Sequence, residues 1–94
     1  MFGLIGKMRC VPGRRGDVIK AIGGGTEGMP GCLSYVVAED PADGDAVWIT
    51  EAWDSEASHK ASLDLPQVKD AIAKARPLIA GFEMSVKTRP IAGL

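Results

Sequence analysis

The side chains best suited to chemistry in this chain fall in one stretch, Val47 to Gly81 (VWITEAWDSEASHKASLDLPQVKDAIAKARPLIAG). His59 is the only histidine, and histidine is the side-chain type whose charge ordinarily changes near neutrality. It follows a β-rich run that ends in Trp53. Side chains alternate along a strand, so Val47, Ile49, Glu51 and Trp53 share one face, and Trp48 and Thr50 the other. An aromatic ring, a carboxylate and an imidazole thus meet where a strand gives way to a helix. That set suits holding an aromatic molecule and removing a proton from it. His59 would be the base or hydrogen-bonder, Trp53 would stack on a planar ring, and Glu51 would be a second base if burial raised its pKa.

Plainer roles stand beside these. Trp53 could simply pack in a core, with any polar edge satisfied locally. Glu51 could be exposed or paired, and His59 a half-exposed helix residue beside Lys60.

The elements that must position these groups read as βαββαβ. Phe2 to Val11 is a strand with Phe2, Leu4, Met8 and Cys10 on one face and Ile5, Lys7, Arg9 and Val11 on the other. Pro12-Gly13 ends it. Val18, Ile19 and Ile22 have helical spacing, with Asp17 as the N-cap candidate. Gly23, Gly24 and Gly25 predict an early end, since each glycine costs about 0.5–1 kcal/mol in a helix. Cys32 to Ala38 is a second strand, Glu39 to Asp45 a hairpin loop, and Ala46 to Trp53 a third strand. Asp54 or Ser55 caps a short helix to about Ser62. Asp64, Pro66 and Gln67 restart helix as N-cap, early proline and cap-box glutamine. Asp70 and Lys74 form an i,i+4 pair on its solvent side. Pro77 stops that helix, and Phe82, Met84, Val86 and Thr88 alternate with Glu83, Ser85, Lys87 and Arg89 as a fourth strand.

Right-handed crossovers and a hairpin between strands two and three predict a ferredoxin-like α+β sandwich. Its four-stranded antiparallel sheet has order 4-1-3-2, with helices on one face. Residues 1–94 form a single domain. Cys10 and Cys32 then lie about 9.5 Å apart across two strand spacings and at opposite ends of the sheet. A disulfide needs Cα atoms within about 7 Å, so two free thiols are expected. Apolar residues on both faces of the strands predict a homodimer through the uncovered sheet face. Trp48 would sit in that interface, and Tyr35 with it if the second strand registers that way.

Net charge is −1 with both signs interleaved, 46% of residues are hydrophobic and 24% charged. This is a globular composition with no basic footprint for nucleic acid and no attraction to an anionic membrane. No apolar run approaches the roughly 18–20 residues of a membrane span. In MFGLIGKMRCVPG the apolar run precedes the positive charges, the reverse of a signal peptide, so the cytoplasm is the expected location. One histidine and two separated cysteines lack metal-site spacing. Gly23 to Gly28 (GGGTEG) satisfies G-x-G-x-x-G, but it follows a helix and precedes a strand, the reverse of a dinucleotide site. A flexible rim over a pocket fits this segment better.

The run E-A-W-D-S-E-A-S-H-K-A-S-L (Glu51 to Leu63), continued by LPQVKDAIAKARPLIAGFE, resembles the antibiotic biosynthesis monooxygenase family, including quinol monooxygenase-like proteins. PGCLSYVV (Pro30 to Val37) is similar to that family's second strand. The resemblance implies a dimeric α+β barrel built from ferredoxin-like protomers. It also implies oxidation of a quinol or polycyclic phenol by O2 with no metal or flavin cofactor. By it, Trp53 matches the tryptophan beside the pocket and His59 a polar aromatic position on the following helix. Ser62 stands where many members carry a further histidine. The chain has no asparagine, so it departs from the haem-degrading branch.

For such chemistry Arg76, at the end of the second helical run, could neutralise a developing phenolate or superoxide. Its plainer role is a cation at a helix C-terminus. The alternative function is a non-catalytic dimeric module that binds a small aromatic metabolite.

Overall fold

A computed structural model describes residues 1–94. The strands are β1 (Phe2–Cys10), β2 (Cys32–Glu39), β3 (Ala46–Trp53) and β4 (Ile79–Thr88). The helices are α1 (Arg15–Gly23), α2 (Glu56–Ser62) and α3 (Pro66–Ala75), and a 3-10 turn, Arg76–Leu78, links α3 to β4. The sheet order is β2-β3-β1-β4 with every neighbouring pair antiparallel, the ferredoxin-like arrangement expected from the element order.

Strand parity sorts the side chains. Phe2, Met8, Cys10, Val47, Ile49 and Trp53 are buried on the helix side. Two apolar clusters hold the layers together. One joins Met8, Cys10, Val18, Ile22, Val47, Ile49 and Ala75; the other joins Phe2, Met29, Trp53 and Val68. The opposite face has no covering element. There Ile5 pairs with Thr50 and Val86, and Lys7 with Trp48 and Met84. Val36, Met84 and Val86 are exposed on it.

Local signals placed three caps and one strand face incorrectly or incompletely. Asp17 does not cap α1. The positive-φ turn at Gly13 starts the helix at Arg15, which puts Asp17 in the first turn, where it accepts from Arg14 Nε at 2.8 Å. A carboxylate there still complements the helix dipole. Of the two candidates for α2, Ser55 is the cap, accepting from the Ser58 N–H at 3.1 Å. Asp64 does not cap α3, because the turn leaving α2 takes its N–H to the Ala61 carbonyl. Leu65 precedes the helix instead, and Pro66 occupies the first turn as expected. Gln67 closes no cap box; its Nε2 donates to the carbonyls of Glu27 at 2.7 Å and Gly25 at 3.3 Å.

β4 begins at Ile79, and register shifts interrupt its alternation. Phe82 lies opposite Met8 on the helix side, whereas Met84 lies opposite Lys7 on the open side. Helix α1 stops at Gly23, as the glycine run predicts. Cys10 and Cys32 are free; Cys32 pairs with Trp53 at one end of β3, and Cys10 lies at the other, next to Arg9, which pairs with Ala46.

Candidate functional site

A cavity of about 570 Å³ opens between the helix layer and the sheet, within the roughly 300–1,000 Å³ of small-molecule sites. Its walls are mostly apolar: Met8, Ile22, Ile49 and Trp53 at the base, Val68, Ala71, Ile72 and Ala75 from α3, and Ile79 and Phe82 along β4. Phe82 is 72% exposed at the rim. All six residues singled out above (His59, Trp53, Glu51, Ile49, Arg76 and Ser62) line this one cavity.

The polar end is built by β3 and α2. Glu51 and Trp53 sit two residues apart on one strand face, so the indole can reach back. Trp53 Nε1 donates to Glu51 Oε1 at 3.0 Å. α2 then brings His59 Nε2 to 3.8 Å from the same oxygen. The imidazole is edge-on to Trp53, centroids 5.5 Å apart, and tilted against Phe2 at 5.4 Å. Only 11% of the Glu51 side chain and 19% of that of His59 is exposed. Burial pushes the Glu51 carboxyl above its usual value, opposed by the Trp53 hydrogen bond and by the charge of His59. A carboxylate with that bias holds a proton more readily than a surface glutamate.

Trp53 is only 1% exposed and belongs to a core cluster. It walls the cavity and anchors Glu51, which is more than packing and less than a free stacking platform. Ile49 is floor. Ser62 is buried, and its hydroxyl donates to the His59 carbonyl at 2.6 Å, so its one proton is already engaged. Arg76 sits at the rim where α3 meets the 3-10 turn, with no carboxylate in ion-pair range; its N–H bonds the Ile72 carbonyl.

Strand parity without a known register missed Tyr35. It does not face the open side with Trp48. It pairs with Glu51 across β2 and β3, packs on both apolar clusters and lines the cavity. A register shift between Cys32 and Ser34, with Leu33 as the extra residue, sets that orientation. Trp48 does lie on the open face, donating to Asp40 Oδ2 at 2.9 Å beneath Lys7. The glycine-rich segment contributes Thr26 and, just beyond it, Met29 to the cavity wall. It is held rather than loose. A Cβ on Gly25 would lie 2.5 Å from both Ala71 Cβ and the Gln67 carbonyl.

No group of three or more histidine, cysteine or acidic side chains converges as a metal site, and no helix is long and apolar enough to cross a membrane. The groups at the polar end of the cavity, Glu51 and His59, are of the types that exchange protons.

Sheet order, one-sided helix layer and interlayer cavity together define a ferredoxin-like α+β domain with an apolar cavity between its layers. The chain belongs to the antibiotic biosynthesis monooxygenase family, whose model matches residues 1–74. Among solved structures, it is 59% identical to a Chloroflexus aurantiacus J-10-fl protein provisionally named as such a monooxygenase. That match covers 99% of this chain and 95% of the other, with a TM-score of 0.97. A Deinococcus radiodurans protein with the same provisional name shares 22% identity over 100% and 96% of the two chains (TM-score 0.80). One from Nitrosomonas europaea shares 12% over 98% and 100% (TM-score 0.87). The last two show likeness of fold alone. No curated protein matches the chain.

Proposed function

We propose that the protein is a homodimeric monooxygenase that oxidises a quinol or polycyclic phenol with O2 and needs no metal or flavin. One observation carries this reading: a buried carboxylate, Glu51, held by Trp53 Nε1 and faced by His59 Nε2 at 3.8 Å, at the end of an apolar cavity. The family supports the reaction type, and the resemblance supplies the independence from a cofactor.

The chemistry is balanced by the substrate itself. His59, with Glu51 beside it, takes the phenolic proton and leaves an electron-rich anion delocalised onto a ring carbon. That anion gives one electron to O2, and the ring radical and superoxide combine into a new C–O bond. The proton returns to the peroxide. Loss of the remaining C–H proton to the base breaks the O–O bond and releases water, leaving a carbonyl. In sum the phenolic O–H, one ring C–H and O2 become the carbonyl of the former phenol, one new C=O and H2O. The apolar walls keep bulk water from the radical pair.

The open sheet face, with exposed Val36, Met84 and Val86 around Trp48, supports pairing with a second copy. Balanced charge supports a protein that engages neither nucleic acid nor an anionic membrane, and a place in the cytoplasm is part of the same proposal.

Oxygen-electrode assays with naphthoquinols and hydroxyanthrones test the function. One O2 consumed per carbonyl formed, unaffected by chelator and abolished by His59→Ala, is expected. No uptake with any compound, or full activity in His59→Ala, would overturn it. Saturable binding without product would instead favour the non-catalytic aromatic-binding module.

A further inference from the structure

Tyr35 has no part in the mechanism above, yet its placement is unusual for a half-buried phenol. Every fully enclosed side-chain polar atom in the protein has a hydrogen-bond partner. The Tyr35 hydroxyl has none, so it reaches open space. A buried tyrosine ordinarily finds a partner for its O–H. Tyr35 is directly opposite Glu51 in the β2–β3 register, on the helix side of the sheet, and it lines the cavity there. Burial and the neighbouring Glu51 hold the phenol in its protonated form. It therefore presents a donor.

We infer that Tyr35 is the specificity-determining donor of this pocket, selecting aromatics that carry an acceptor oxygen ortho or peri to the hydroxyl that faces Glu51 and His59. The inference rests on the cavity being the aromatic site proposed above. The cavity then offers three different functions: a carboxylate that accepts, an imidazole that accepts or donates, and, from the residue paired with Glu51 across the two strands, a phenol that donates. A lone phenolic oxygen satisfies the first two and leaves Tyr35 unpaired. A ligand with a second oxygen beside the first offers Tyr35 an acceptor while the first meets Glu51 and His59. Discrimination of this kind is strong because the compound lacking the oxygen leaves a desolvated donor without a partner.

Anaerobic titration separates this from turnover. The probes are 1,8-dihydroxynaphthalene, with two peri oxygens, and 1-naphthol, with one. Binding is read by Trp53 emission in a Trp48→Phe background and by calorimetry on the protein with both tryptophans. The diol is expected to bind more tightly, and Tyr35→Phe to weaken it about five- to tenfold, the range of one neutral hydrogen bond. 1-Naphthol, which leaves that donor unpaired, should bind no more weakly to Tyr35→Phe and up to about fivefold more tightly. Equal changes for the two compounds, or none for either, would overturn the role of Tyr35 while leaving the proposed function standing. If neither compound binds, the aromatic site and the Tyr35 inference fall together.

Discussion

On the open face of the sheet, Asp40, Asp43 and Glu83 lie among cations and donors. Lys7 Nζ is 3.1 Å from Glu83 and 3.6 Å from Asp40, and Arg9 joins Glu83 to Asp43. These contacts hold all three carboxyls below their usual value. On the helix face the single cavity carboxylate, Glu51, is pushed the other way by burial. One residue class thus meets two environments across a single layer of backbone. Where water and guanidinium groups reach, a carboxylate needs no further purpose. Where walls are apolar, the charged form is disfavoured, and a glutamate kept there beside an imidazole is where the proposed proton transfer would take place.

The largest effect should come from removing that contrast. Glu51→Gln keeps an acceptor for Trp53 Nε1 but cannot take a proton. Oxygen consumption should fall by about 10²-fold, the low end of what a positioned base contributes because His59 remains in place, with aromatic binding retained. Stability should move in the opposite sense. Because the folded-state pKa of Glu51 is raised, its folded form is favoured below the ordinary glutamate value. That advantage is lost as pH rises through the raised value. Glu51→Gln should therefore melt above the unsubstituted protein at pH 7 and level with it at about pH 4, below the ordinary glutamate pKa. A lower melting point at pH 7 would show that Glu51 is a structural anchor instead.

The open face is broken differently. Val36, 52% exposed and opposite Thr50, would lie within the proposed dimer interface. Val36→Lys should weaken association by about 100-fold, the scale of an unpaired buried charge, and leave the cavity able to bind. Sedimentation across a concentration series reads this directly. An unchanged dimer would move the interface elsewhere.

Next in size is the seam between the glycine-rich segment and α3. Gly25→Ala forces a methyl against Ala71 Cβ and the Gln67 carbonyl. It should cost about 1–3 kcal/mol, as overpacking does. Gly16→Ala, with nothing within 4 Å of the new methyl, should be neutral or slightly stabilising. Equal melting curves for the two variants would mean that the seam yields without cost.

These contrasts also show what the sequence carries. Element order and the parity of β3 were legible because alternation over eight residues leaves little choice, and they put Glu51, Trp53 and Ile49 on one face. The end of α1 was legible from glycine alone. Tyr35 was not, because a register shift beside Cys32 decides which way β2 turns, and an isolated strand holds no record of its partner's register. Phe82 and Met84 share parity in sequence but not in space for the same reason. Asp64 and Gln67 looked like a cap box only while the contacts from Ala61 and from Glu27 were unknown. Nearest-neighbour chemistry fixes helices and strand faces; what distant backbone does to those residues it cannot contain.

The smallest effect should come from the open-face charges, and its dependence on conditions matters more than its size. Glu83→Gln removes the carboxylate shared by Lys7 and Arg9. Because the folded-state pKa of Glu83 is lowered, the stabilisation it gives is present above the ordinary glutamate value and lost as pH falls through the lowered one. The variant should melt slightly below the unsubstituted protein at pH 7 and level with it in acid, the mirror image of Glu51→Gln. Salt then separates a solvated face from a covered one. In a monomer the network is screened at about 1 M salt, where the Debye length is about 3 Å, and the difference should disappear. In a dimer that buries this face, screening is much weaker and the difference should persist. Measured in the Val36→Lys background and without it, the salt response of Glu83→Gln therefore reports whether the second face of the sheet meets water or another copy of itself.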